Sequence, residues 1–204
     1  MPTQKPSSKT IIIASGNEGK IREIRAALLP LGMVLSSLSE LNMTQAPEPH
    51  PSFFENALAK ARAATLASGL PALADDSGIV VPALKNSPGV LSARYAGENA
   101  TDEDNNQKLL SEMEHIEDRR AFYYAAMVFV ESPDDPAPIF AEGMWHGEIA
   151  KAPSGNGGFG YDPIFYVPDA GKTGAEMSLD EKNACSHRGQ SLRRLYALMQ
   201  QKWR

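Results

Sequence analysis

The sequence predicts an α/β fold, a mixed sheet flanked by helices. Three observations carry that expectation. Short β-branched and aromatic runs recur along the 204 residues. Segments with helical spacing and recognisable caps alternate with them. No internal repeat, heptad array or linker divides the chain, so residues 10–204 are expected to form a single domain behind a flexible tail over residues 1–9.

Taken in order, Thr10 to Ala14 is β-branched and ended by Ser15-Gly16-Asn17, which predicts a buried strand feeding a turn. Ile21, Ile24, Ala27 and Leu28 then recur at helical spacing from about Glu18 to Leu29, with Pro30 and Gly32 closing the helix. Met33 to Ser37 predicts a second strand. The proline-rich stretch Thr44 to Pro51 is a loop, because proline cannot donate to a sheet ladder. Ser52 to Ser68 is the clearest helix, with Ser52 and Glu55 in capping-box register, Phe54, Leu58, Ala61 and Leu66 as its apolar positions, and Gly69 as its stop. Pro71 to Ala74 predicts a strand that delivers Asp75-Asp76-Ser77-Gly78 at its end, and Ile79 to Val81 another extended piece. Asp102 to Met113 reads as a helix and Ala121 to Val130 as a central strand. Two further strands are expected around Gly143, over Ile139 to Glu142 and Met144 to Ala150. Leu192, Leu195, Tyr196 and Met199 set the period of a last helix, Ser186 to Lys202.

Composition narrows the function. A net charge of −5 argues against a broad nucleic-acid-binding face, which needs accumulated Lys and Arg, so an anionic ligand must be met locally. The single cysteine, Cys185, excludes an intramolecular disulfide and the multi-cysteine zinc patterns, and fits a reducing, cytoplasmic setting. No apolar run reaches membrane-spanning length, so no membrane partner is expected.

Several constellations can carry chemistry. Ser154-Gly155-Asn156-Gly157-Gly158-Phe159-Gly160-Tyr161-Asp162-Pro163 contains a literal G-x-G-x-x-G, but turn residues precede it and Pro163 denies a helical start after it, so a dinucleotide fingerprint is not expected. Phe159 and Tyr161 either stack on a base or anchor the loop to the core. Gly16-Asn17-Glu18-Gly19-Lys20 is too short for a P-loop. With Asn17 as N-cap, Lys20 lies in the first helical turn, where a cation opposes the macrodipole; a bound phosphate would reverse the penalty, and a solvated lysine balanced by Glu18 and Glu23 is the alternative. The same arrangement recurs where Ser186 is an N-cap candidate and His187 and Arg188 fill the first turn, with Gly189 weakening it and Lys182 just upstream. Asp75 and Asp76 provide adjacent carboxylates, with Glu48 as a possible second acid; oxygen-only ligands without a His/Cys cluster favour Mg²⁺, and the alternative for Asp-Asp-Ser-Gly is an ordinary turn. Asn56 and Lys60 share one helix face, which either lines a binding site or is a solvated stripe.

Together these segments resemble a known family. Ser15 to Lys20, Phe54 to Ala61, Ala74 to Gly78, Ser92-Ala93-Arg94-Tyr95-Ala96-Gly97, Gly158 to Pro163 and Ser186 to Gly189 occur in the order seen in the noncanonical purine NTP pyrophosphatases, also called the inosine triphosphatase or dITP/XTP pyrophosphatase family. The resemblance runs from about Ile11 to Leu198. It implies a two-lobed α/β fold around a central cleft, a homodimer, and Mg²⁺-dependent hydrolysis of ITP, dITP and XTP to the monophosphate and pyrophosphate. It further implies that Ser15, Gly16, Asn17, Glu18, Gly19 and Lys20 hold the phosphates; Asn56 and Lys60, on the helix face read above, are expected to bind substrate as well. By the same resemblance, Asp76 is catalytic base or metal ligand, Ser77 lies beside it, and Glu48 is an acidic metal position. Phe159, Gly160, Tyr161 and Asp162 would form the nucleoside loop, and Lys182, His187 and Arg188 the base pocket. The chain departs from the family at Pro47-Glu48-Pro49-His50, where members often carry Glu-Glu-Thr-Gly. A pyrophosphatase for pyrimidine or other modified nucleotides, or a nucleotide sensor, is the alternative function.

Overall fold

The structure is a computed structural model and describes residues 10–29 and 32–203. The tail expected before Thr10 and the stop at Pro30 lie outside the described residues. The elements are β1 (Ile11–Ile13), α1 (Glu18–Leu28), β2 (Leu35–Ser37), α2 (Phe53–Ser68), β3 (Ala72–Val81), β4 (Ser87–Pro88), α3 (Asp102–Glu112), β5 (Arg120–Val130), β6 (Ile139–Ile149), β7 (Phe165–Val167), β8 (Lys172–Thr173), α4 (Leu179–Cys185) and α5 (His187–Lys202). The strand order is β2-β1-β3-β5-β6-β7-β8, with β4 paired to β3. β1 runs parallel to β2 and β3, whereas β4 on β3, β7 on β6 and β8 on β7 are antiparallel, which makes the sheet mixed. None of the described helices is long and apolar enough to cross a membrane.

Two compact units divide the chain. Of the described residues, the first takes those up to Asp75, Met127–Ala141 and those from Leu192 onward. Its core joins Ile11 and Ile13 of β1 with Ile21, Ile24 and Leu28 of α1, Met127 and Phe129 of β5, and Leu192, Leu195 and Met199 of α5. The 3.6-residue period of α1 and α5 is thus the pattern of their burial. α2 is different. Its buried face carries Ala57, Ala61 and Ala64 together with Asn56, Lys60 and Thr65, whereas Phe54 and Leu66, expected to face the core, are exposed. Small side chains let this helix approach closely, and a face so thin in apolar bulk leaves room to bury polar groups. Ser52 caps α2 as its spacing predicts, accepting the Glu55 N–H, and Gly69 ends it with a left-handed φ of 69°.

The second unit comprises Asp76–Ala126 and Glu142–Ser191. Ile79 and Val81 of β3, Leu109 of α3 and Met113 that caps its end, Tyr123 of β5, Trp145 of β6, and Ile164 and Phe165 around the start of β7 are part of its core. α4 has no counterpart among the expected elements, although Ser178 and Glu181 form a capping box at its start. Pro163, expected only to forbid a helix, sits inside a 3-10 turn over Asp162–Ile164.

Two expected breaks are absent. Asp75-Asp76-Ser77-Gly78 is not a strand end, because β3 continues through it to Val81. A Cβ on Gly78 would lie 2.3 Å from Ser92 Oγ and 2.5 Å from the Gly89 carbonyl, so the glycine admits a close neighbour rather than a turn. Ser92 uses that proximity to accept the Ile79 N–H at 2.9 Å and donate to Gly89 O at 2.6 Å. Likewise β6 passes through Gly143 as one strand, since a Cβ there would stand 2.0 Å from the His187 carbonyl. Gly143→Ala is therefore expected to lower unfolding free energy by about 1–3 kcal/mol, read as a reduced urea midpoint with an unchanged slope.

Candidate active site

In the first unit the turn after β1 opens onto the start of α1. Ser15 Oγ accepts the Asn17 N–H at 3.2 Å, and Asn17 Oδ1 accepts the Lys20 N–H at 3.0 Å, which is the cap expected from the sequence. Lys20 pairs not with Glu18 or Glu23 of its own helix but with Asp75 of β3, Nζ to Oδ1 at 2.9 Å, and Asp75 is fully buried. The Gly16 N–H donates to Gln45 Oε1 at 2.6 Å, and Gln45 Nε2 donates in turn to Glu48 Oε1 at 2.9 Å. Nothing in the sequence singled out Gln45, whose partners lie 29 and 3 residues away.

Lys60 is the hub of this group. It is 2% exposed, and its ammonium donates to Glu48 Oε1 at 2.5 Å and to the Asp75 carbonyl at 2.7 Å. A solvated stripe is thereby ruled out for this face of α2. Asn56, one turn earlier, is equally buried and holds the Glu48 loop by both backbone groups of His50: its Oδ1 accepts the His50 N–H at 2.9 Å, and its Nδ2 donates to the His50 carbonyl at 3.1 Å. Gly16, Asn17 and Glu18 are exposed and Gly19 is buried beneath them. The arrangement gathers two ammonium groups, two carboxylates and the N-terminus of α1, a setting suited to a polyanion.

In the second unit, Asp76 is buried on β3, where alternation turns its side chain to the face opposite that of its neighbours in sequence. Arg188 is 2% exposed and donates Nη2 to Ser77 Oγ at 2.7 Å. His187 stacks on Tyr123 with ring centroids 4.6 Å apart and planes within 5°, and continues the stack towards Trp145 at 6.3 Å. Asp162 Oδ2 receives both the Lys182 ammonium at 2.7 Å and the Phe159 N–H at 2.8 Å, which folds the glycine-rich loop around a buried ion pair. Tyr161 takes the anchoring alternative, since its buried hydroxyl donates to the Ser92 carbonyl at 2.8 Å. Phe159 stays half-buried, with Lys182 Nζ 5.0 Å and Arg188 Cζ 5.7 Å from its ring centre, within reach of cation–π attraction. Gly189 owes its place to packing, because a Cβ would meet the Asn183 carbonyl at 2.0 Å.

Two buried phenols of this unit, Tyr123 and Tyr161, are held neutral. Burial raises Tyr161 above its ordinary value, and burial together with the Asp162 charge raises Tyr123 well above its own. Both hydroxyls therefore keep their protons across the physiological range, and that of Tyr161 is the donor to Ser92. Among the described residues no three His, Cys, Asp or Glu side chains converge as a ready-made metal cage. The first unit offers the carboxylates of Glu48 and Asp75 and the second that of Asp76, all oxygen donors, the ligand type a hard divalent cation takes.

The Ham1 family matches residues 11–198. A dITP/XTP pyrophosphatase of Nitrosomonas europaea is 55% identical over 189 residues, which cover 93% of each chain. One from Ralstonia nicotianae is 53% identical over 92% of this chain and 94% of its own. Among solved structures, a HAM1 protein from Coxiella burnetii is similar with a TM-score of 0.87 at 45% identity, covering 95% of this chain and 99% of that one. The Staphylococcus aureus Ham1 protein is similar with a TM-score of 0.84 at 39% identity, covering 95% and 100%. Similarity of this depth over nearly the whole length of each partner is that of one family, and the chain belongs to the Ham1 family.

Proposed function

We propose that this chain hydrolyses the purine nucleoside triphosphates ITP, dITP and XTP to the monophosphate and pyrophosphate, with residues 10–204 acting as one functional domain. The observation that carries the proposal is the group around Lys60: a buried ammonium between Glu48 and the Asp75 carbonyl, beside Lys20 at the start of α1. Relatives about half identical to it carry the name dITP/XTP pyrophosphatase. The proposal also includes a cytoplasmic homodimer acting on free nucleotides, in keeping with the net charge of −5 and the lone cysteine.

In the proposed reaction a water oxygen bonds to the α-phosphorus, the bond to the α–β bridging oxygen breaks, that oxygen leaves with pyrophosphate, and the water gives up a proton. Lys20 and Lys60 neutralise the charge that accumulates on the leaving oxygens, and the Ser15–Lys20 turn at the start of α1 receives the phosphates. Asp76 serves either as the base that accepts the proton of the water or, with Glu48, as one of the residues that would hold Mg²⁺. When bound, Mg²⁺ supplies Lewis-acid polarisation of the phosphoryl oxygens and a lower pKa for water. Phe159 offers a ring face to the purine, and Lys182, His187 and Arg188 offer donors to the 6-keto oxygen shared by hypoxanthine and xanthine. Adenine carries a 6-amino group there and would leave those donors unpaired, which is the kind of mismatch that discriminates strongly.

Purified protein with Mg²⁺ should release pyrophosphate from ITP and XTP well ahead of ATP and dTTP; release of orthophosphate, or preference for a pyrimidine, would overturn the proposal. Asp76→Asn should retain the folding midpoint and lose more than about 100-fold in kcat, the scale of a lost general base. Arg188→Ala should reduce the ITP to ATP ratio of kcat/KM by about tenfold or more, as expected when a charged donor to the base is removed.

A further inference from the structure

Helix α3 does more than cover the core of its unit. Asp102, its first residue, accepts the Gly160 N–H through Oδ2 at 2.7 Å. Asn106, one turn later, donates Nδ2 to the Gly160 carbonyl at 3.0 Å. Both backbone groups of one glycine are thus gripped from a single helix face, and that glycine holds a left-handed φ of 61° between Phe159 and Tyr161. Asn105 grips the neighbouring segment in the same manner, accepting the Ala96 N–H at 2.8 Å and donating to the Ala93 carbonyl at 3.3 Å. The Tyr161 hydroxyl, bonded to the Ser92 carbonyl, ties the two gripped segments to each other.

Asn106 is a poor choice for stability. It is 4% exposed, and its Oδ1 is buried with no hydrogen-bond partner among the described residues. An acceptor buried without a donor destabilises a fold by at least as much as one ordinary hydrogen bond returns, and leucine would fill a similar volume without that cost. What asparagine provides and leucine lacks is the donor at Gly160. Local rules broken in this way concentrate where function demands it.

We propose that Asp102 and Asn106 form a clasp of positioning residues that sets the Phe159–Asp162 loop for its purine, and through that loop sets the discrimination between 6-keto and 6-amino bases. The proposal rests on the functional reading above. Neither residue touches the substrate. The clasp fixes the peptide planes on either side of Gly160, and these determine where the Phe159 ring and the Phe159 N–H to Asp162 contact stand. A loop with both backbone groups held loses little further freedom on binding, so its ordering cost falls mainly on the free enzyme.

The test compares Asn106→Leu, Asp102→Ala and a control, Leu109→Val, which trims a buried core residue of the same helix. Melting temperature, and kcat and KM for ITP and ATP, are measured for each. Asn106→Leu is expected to keep or raise the melting temperature while the ITP to ATP ratio of kcat/KM falls about three- to tenfold, the scale of one net hydrogen bond, with most of the loss in KM. Asp102→Ala, at an exposed position, should move the ratio the same way, and Leu109→Val should lower the melting temperature with the ratio unchanged. A preserved ratio in Asn106→Leu, whatever its melting temperature, sinks the clasp alone. A wild-type chain that does not prefer ITP sinks the functional reading together with the discrimination assigned to the clasp.

Discussion

A buried ammonium must find oxygen, and the first unit is arranged around that requirement. Desolvating Lys60 costs several kcal/mol, and Glu48 and the Asp75 carbonyl, which reach it at hydrogen-bond distance, offset that cost. Each of those partners then fixes something else. Glu48 draws Gln45, and Gln45 draws the Gly16 N–H, so the turn ahead of α1 is connected to α2 through a chain of three side chains. Asp75 is held at both ends, its carbonyl by Lys60 and its carboxylate by Lys20. Removing either partner would strand a charge, which is why this cluster behaves as a unit rather than as separate contacts.

The second unit solves a related problem with neutral groups. Its loops contain glycines whose backbone has little intrinsic preference, and asparagine side chains on helices supply the missing restraint. Asn105 and Asn106 of α3 each spend an amide on loop backbone, as Asn56 of α2 does for the Glu48 loop in the first unit. An amide both donates and accepts, so it can satisfy the N–H and the C=O of one peptide stretch without introducing charge. The ion pair of Lys182 with Asp162 adds a buried electrostatic tie, and Asp162 shares its oxygen with the Phe159 N–H. The aromatic stack of His187, Tyr123 and Trp145 closes the same region with apolar surface.

Much of the fold was legible in the chain. The β-branched run at Ile11, the Asn17 and Ser52 caps, the Gly69 stop and the periodic apolar positions of α1 and α5 are local signals, and each element formed where its signal stands. Signals that depend on a distant partner misled. Gly78 and Gly143 look like breaks because glycine usually marks one, yet both lie inside continuous strands, where Ser92 and the His187 carbonyl occupy the space a side chain would take. Phe54 and Leu66 look like core positions on α2, but the close approach of its alanine face turned them outward. The capping box of α4 is a local signal as well, but the helix it starts is 7 residues long, too short for an apolar period to mark it.

The candidate site divides along the same line. Sequence by itself determined which chemical groups are present and in what order: the capped turn with Lys20, the paired aspartates, the Asn56 and Lys60 face, the glycine-rich loop, and the cations from Lys182 to Arg188. Only the tertiary structure decided what each group does with its polar atoms. Lys20 went to Asp75, Lys60 was buried rather than solvated, Tyr161 became an anchor while Phe159 stayed half-buried, and Asp102, Asn106 and Gln45, which no local pattern marks, became the restraints on the loops. The physical reason is that caps and periodicity are settled within a few residues of chain, whereas burial and hydrogen-bond partnership are settled between segments that meet only after folding.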